Sequence, residues 1–194
     1  MPETSATVAP LSDSELATAA LRFARRVHLG QYRKQTYEQF VEHPIAVARC
    51  MRDAGYDGPL LAAAYLHDVV EKTPVEAAEI RERFGPEVAD VVEALSDDES
   101  IEGYGARKRE LRRQVLAAGR GPVLIYAADR VANMRDWRRV ASDAREACAG
   151  RLGTNLPERI ELWAEDLEEL TAYDPELPFL GEIEIALRAL RAGE

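Results

Sequence analysis

Apolar positions recur at helical spacing along most of the chain, and no stretch of strand length alternates convincingly. Ser12 or Asp13 can cap a helix running to about Leu29, with Leu16, Ala20, Phe23, Ala24 and Val27 as its apolar stripe. The spacing predicts a second helix over Pro44 to Ala54, with the proline near its first turn and Gly55 closing it. Pro59 opens a third, whose apolar run from Leu60 to Leu66 ends in His67-Asp68. Thr73-Pro74-Val75-Glu76 reads as a capping box with proline at the first helical position, and Gly85 ends that helix after Phe84. Pro86 to Leu95 is short and amphipathic, and Ser96 to Gly105 is acidic and predicted to be an exposed loop. A basic helix over Arg107 to Ala118 is bounded by Gly119 and Gly121. Pro122 to about Val140 carries an apolar run that leads into Asp129, and two late helices fall near Leu156 to Tyr173 and Leu180 to Ala192. With no internal repeat or low-complexity tract, the fold class is all-α.

Composition narrows this further. A chain of 194 residues can bury one sizeable core, and 46% hydrophobic with 31% charged residues is a globular balance. Residues 1–11 are expected to be a flexible leader without the features of a signal peptide, and 12–194 a single domain. No apolar run approaches the roughly 20 residues that span a bilayer, so no membrane partner is expected. Cys50 and Cys148 sit in amphipathic patterns and suggest no disulfide, which makes a reducing cytoplasm the default location. A net charge of −10, from 25 basic and 35 acidic residues, argues against a nucleic-acid surface. It leaves room for a small anionic substrate, because a metal and a few local cations can override the global field inside a cleft.

The candidate chemistry centres on His67-Asp68. A carboxylate at the end of a core helix needs a partner, and a metal ion is an economical one. His43 upstream and Asp129 downstream complete a set of two histidines and two aspartates that suits Mn(II), Fe(II), Co(II) or Zn(II). Glu71 falls four residues after His67 and three after Asp68, on the same helix face, where a free carboxylate can handle the proton of an activated water. A satisfied core histidine beside an arginine-paired aspartate is the better account of an isolated His-Asp dipeptide. With His43, Glu71 and Asp129 each on its own helical segment, the metal account is favoured.

His43, His67-Asp68 and Asp129 form an H…HD…D pattern that resembles the HD-domain metal-dependent phosphohydrolases. The likeness is closer to the hydrolase domain of RelA/SpoT-type alarmone enzymes. Ala24, His28, Gln31, Arg33-Lys34, His43-Pro44 and Val47-Ala48 resemble its opening, and Leu66 to Glu71 and Phe84 to Val88 continue it. Ala128-Asp129-Arg130-Val131-Ala132-Asn133-Met134-Arg135 resembles its A-D-R-x-x-N-M-R segment. The resemblance runs from about residue 16 to 140, and the length suggests a stand-alone small alarmone hydrolase with an HD-domain helical bundle and a metal site between helices.

That resemblance implies ligation of Mn(II) by His43, His67, Asp68 and Asp129, with Glu71 as the first residue of a Glu-Asp catalytic pair. It implies removal of the 3′-pyrophosphate of (p)ppGpp, a nucleotide substrate that Arg33, Lys34 and Asn133 would contact. Asn133, four residues after Asp129, shares its face. Arg107 and Lys108, with Arg109, form a cluster whose plain reading is a solvated helix face, although one or two could reach distal phosphates. His28 is expected to be structural, hydrogen-bonded to a loop backbone. The chain departs from the family at Lys72, where the pair would have aspartate, at Glu42, and at Tyr126-Ala127. Lys72 near the metal is expected either to turn outward to an acidic partner or to serve the substrate. Alternatives that stay open are hydrolysis of another phosphorylated nucleotide or NADPH, and a nucleotide-binding regulator with weakened catalysis.

Overall fold

Glu15 accepts hydrogen bonds from the Ser12 backbone amide (2.9 Å) and hydroxyl (2.6 Å), which fixes the start of α1, Asp13–Val27. The computed structural model describes residues 11–193, so the expected leader, apart from Leu11, lies outside the described residues. The chain continues through α2 (Glu42–Asp53), α3 (Gly58–Leu66), α4 (Val69–Lys72), α5 (Ala77–Phe84) and α6 (Pro86–Ala94). Then follow α7 (Tyr104–Ala118), α8 (Arg120–Arg139), a short 3₁₀ turn (Ser142–Ala144), α9 (Arg145–Arg151), α10 (Leu156–Tyr173) and α11 (Leu180–Ala192). Among the described residues the only extended pairing is an isolated bridge between Tyr32 and Gln39, so the expected all-α class holds. No described helix is long and apolar enough to cross a membrane.

α3 is apolar on every side and is therefore swallowed whole, with Leu61 to Leu66 all buried between α1, α2 and α6. α8 is the second central element. Its residues from Pro122 to Ala132 are buried, and it packs against α2, α7 and α11. Gly85 separates α5 from α6 at φ +90°, a backbone conformation that side chains disfavour, and Pro86 starts α6 immediately.

Three differences from the sequence reading exceed two residues. The hydroxyl of Thr73 donates to the Val69 carbonyl (2.8 Å) and accepts from the Val75 amide (3.2 Å), so it closes α4 rather than capping the next helix. α5 accordingly starts at Ala77 with Glu76 as its cap residue. α7 begins at Tyr104, three residues early, which removes Tyr104 and Gly105 from the expected loop. α9 has no counterpart among the expected helices, because it is only seven residues long and buries just Arg145, Cys148 and Ala149.

α7 and α10 are clamped by charge. Arg109 and Arg112 both donate to Glu165, and Arg112 also reaches Asp166 at 2.7 Å. Hydrogen bonds from Arg109, opposed by slight burial and joined by those from Arg112, draw the Glu165 carboxyl from 4.5 down to about 2. A depressed carboxylate lends stability that is complete above its unfolded value and is lost as pH falls through its folded value. The difference in urea stability between the native protein and Glu165→Gln should therefore be constant above pH 4.5 and vanish near pH 2. A difference independent of pH would exclude the ion pair as its source.

Candidate functional site

Three elements deliver one cluster. His43 lies in the first turn of α2, His67 just past the end of α3, and Asp129 in the middle of α8, and all three are buried. One ligand atom from each lies within 4.8 Å of the others, with His43 Nε2 at 2.8 Å from Asp129 Oδ1. Asp68 Oδ2 joins them at 3.7 Å from His43 Nε2 and 3.5 Å from His67 Nε2. The structure thus brings together the four side chains singled out from the sequence. The helix face expected to be shared by His67, Asp68 and Glu71 crosses a break: α3 stops at Leu66 and α4 starts at Val69. Residues 67 and 68 keep right-handed dihedrals and Lys72 N–H still reaches the Asp68 carbonyl (2.9 Å), so Glu71 stays on the cluster's side.

The tautomer of His67 is fixed by its backbone. Nδ1–H donates to the Ala64 carbonyl (2.8 Å), so in the neutral ring the lone pair falls on Nε2, an atom that is buried with no hydrogen-bond partner. It faces the carboxylates of Asp68 and Asp129 at 3.5 and 3.8 Å. A lone pair aimed at two anions is an arrangement that a cation completes, and the N/O donor set suits a divalent transition ion. The protein partly neutralises the cluster itself. Burial works against the charge of Asp129, but the Arg130 guanidinium, then the hydrogen bond and charge of His43 and the proximity of His67, hold it far below the usual carboxylate range. Asp68 is likewise lowered, against burial, by His67, His43 and Lys72. Burial, followed by the charge of Arg33, lowers His43, against the hydrogen bond to Asp129 and the charges of Asp129 and Asp68.

The cluster forms part of the wall of a cavity of about 550 Å³, into which seven cationic side chains and five carboxylates project. Lys34, exposed, and Arg107 and Lys108, half-buried, all line it, Lys108 in an ion pair with Asp97, whereas Arg109 pairs with Glu165 and is not part of the lining. Arg33 lines the cavity but is buried, and it donates to Asn133 (3.0 Å) and Asp136 (2.8 Å). Asn133 in turn donates to Asp129 Oδ1 (2.7 Å), so it braces the cluster. Lys72 neither turns away nor stands free, because its ammonium pairs with the carboxylate of its neighbour Glu71. His28 is buried as expected, but its partner is the side chain of Gln31 (2.8 Å), not a backbone group. Gln31 passes the connection on by donating to the Lys72 carbonyl (2.8 Å).

Part of the cavity was not anticipated. Tyr104, Tyr126, Arg130, Arg159 and Trp163 line it, and behind them Asp166 accepts from Arg112, Tyr126 and Arg130. Arg130 also donates to Asp129 Oδ2 (2.7 Å), so this buried network runs from α10 to the cluster. One signal was available in the sequence: Arg159 and Asp166 occupy the same stripe of α10 as the buried Leu162, Trp163 and Leu170.

A family described as HD domain matches residues 20–153. A Haemophilus influenzae guanosine-3′,5′-bis(diphosphate) 3′-pyrophosphohydrolase is 35% identical over 131 residues, which are 65% of this chain and 19% of that protein. An Aquifex aeolicus protein of the same name is 31% identical over 75% of this chain and 23% of its own length. The chain therefore spans about a fifth of the length of these curated relatives. A Xenopus tropicalis guanosine-3′,5′-bis(diphosphate) 3′-pyrophosphohydrolase is 34% identical over 66% of this chain and 73% of its own length. A solved structure described as a metazoan ortholog of SpoT that hydrolyses ppGpp has the same fold, with TM-score 0.73 and 24% identity over 95% of this chain and 98% of that one.

The α10 network should be costly to break. Asp166→Asn removes the charge shared by two buried arginines, and loss of about 3 kcal/mol in urea unfolding is expected. A loss under about 1 kcal/mol, the range of exposed pairs, would mean that these contacts are incidental.

Proposed function

The chain belongs to the HD-domain family, and on that premise we propose that it is a divalent-metal-dependent phosphohydrolase acting on (p)ppGpp, releasing pyrophosphate and GDP or GTP. One observation carries this reading: the unpartnered Nε2 of His67, set between two carboxylates in a cavity where cations outnumber acids although the whole chain carries −10. The names of the relatives supply the substrate class. The free, buried Cys50 and Cys148 suit a reducing, cytoplasmic setting.

His43, His67 and Asp129, with Asp68, would hold the ion, which we take to be Mn(II), with Fe(II), Co(II) and Zn(II) compatible with the donors. When bound, such an ion acidifies water and offsets phosphate charge. Glu71, half-buried at the cavity wall, accepts the proton of the attacking water. The water oxygen bonds to the phosphorus that carries the ribose 3′-oxygen. That phosphorus–oxygen bond breaks, the 3′-oxygen takes up a proton, and pyrophosphate departs. Lys34, Arg107 and Lys108 supply charge for the phosphate oxygens. Arg33 and Asn133 position the cluster through Asp129 and border the nucleotide.

The ion pair between Lys72 and Glu71 favours a second reading, in which the chain binds nucleotide but turns it over slowly, because an ammonium on the base competes for its lone pair. A release screen with Mn(II) over ppGpp, other phosphorylated nucleotides and NADPH separates the two. Pyrophosphate release from ppGpp supports the hydrolase, and tight binding without release supports the regulator.

Two further outcomes are expected. Mn(II) should raise the melting temperature of the native protein and of Glu71→Gln, but not of His67→Ala, while Glu71→Gln loses on the order of 10²-fold in turnover. Unchanged turnover in Glu71→Gln would assign the proton to another group, and Mn(II) stabilisation of His67→Ala would remove that residue from the ligand set. Lys72→Asp frees Glu71 and should raise the turnover of ppGpp. A fall in turnover would instead make the lysine part of the working site.

A further inference from the structure

Five arginines are buried among the described residues, and four of them have acceptors. Arg33 pairs with Asp136, Arg112 with Asp166, Arg130 with Asp129 and Asp166, and Arg145 donates to the carbonyls of Trp137 and Val140. Arg159 differs from all of these. Only 7% of it is exposed, it lines the cavity, its Nε has no partner, and no described residue offers its side chain a hydrogen bond or an ion pair. This occurs in a chain with 35 acidic residues, so the lack of a carboxylate here is not a shortage of carboxylates.

What surrounds the guanidinium is aromatic. Its carbon lies 4.9 Å from the ring centre of Tyr104, 4.8 Å from that of Trp137 and 5.3 Å from that of Trp163. Stacked rings hold the charge in place and restrict its plane without consuming its N–H groups, since cation–π attraction acts through the face. Burial, the foremost influence, draws its pKa below the ordinary arginine value. The Tyr104 ring also carries the Lys108 ammonium at 5.9 Å, so cations from α7 and α10 converge on one part of the cavity. A planar, pre-positioned donor fork with no protein acceptor matches a phosphate group, whose oxygens it can take two at a time.

We propose that Arg159 is the anchor of a phosphate subsite on the α7–α10 wall of the cavity, which takes a phosphate group other than the one attacked at the histidine–aspartate cluster. The inference rests on the phosphohydrolase reading for its substrate, a nucleotide phosphorylated at two positions. The group it holds is either the departing diphosphate or the 5′-diphosphate, and the two share one chemistry.

The test needs no turnover. The chain has two tryptophans, Trp137 and Trp163, and Arg159 lies over both, so their emission reports directly on the subsite. Inorganic pyrophosphate and GDP are titrated separately into chelator-treated protein. Emission should change in the native protein, the dissociation constant should rise roughly tenfold or more in Arg159→Gln, and Arg159→Lys should fall between them. Tighter pyrophosphate than GDP assigns the subsite to the departing diphosphate, and the reverse order assigns it to the 5′-diphosphate. Equal binding by native protein and a folded Arg159→Gln, checked by circular dichroism, overturns the proposal. Should that variant not fold, native protein whose emission and melting temperature are unmoved by millimolar pyrophosphate and GDP overturns it equally. Native protein that binds pyrophosphate through Arg159 but never releases it from ppGpp would sink the hydrolase reading and leave the subsite standing.

Discussion

A carboxylate in the interior of a helical bundle must be neutralised on every side that water would have occupied, and Asp129 imposes that condition on this fold. Its two oxygens are met by His43 from α2, by Asn133 one turn along α8 and by Arg130 beside it. Each of these is then tied elsewhere. Asn133 is held by Arg33 in the connection before α2, and Arg130 shares Asp166 with Arg112 and Tyr126. Apolar packing alone tolerates many arrangements of helices of similar size. A polar chain of this kind accepts one, because every member left unpaired costs more than a misplaced methyl group.

The parts of the fold that were legible are those set by short-range chemistry. α10 starts where the Asn155 side chain accepts from the Glu158 amide, and both α10 and α11 run between the expected residues. The wholly apolar α3 could only be core. What escapes the sequence is which of two possible partners a polar side chain takes. Thr73 was read with the helix after it and bonds to the helix before it. Arg33 is expected at the nucleotide, and it is engaged by residues a hundred positions away.

The same distinction divides the site. His43, His67, Asp68 and Asp129 are unusual residue types for core positions, so their chemistry shows through the pattern. Arg159, Tyr104 and Trp163 are ordinary residues for amphipathic helices, and only tertiary packing of α7 against α10 makes a wall of them. Spacing along a helix reveals which residues share a face. It does not reveal which other face will be laid against it.

The contrast between a cationic cavity and an acidic exterior also governs how a ligand arrives. At physiological ionic strength charges are screened over about 8 Å, so an approaching polyanion first meets a surface of its own sign and gains nothing from the buried cations until it reaches the mouth. Capture is then a contact event instead of a long-range one. Long-range attraction then favours no anion over another, and discrimination falls to those few that can shed their hydration and exchange it for the fixed donors inside.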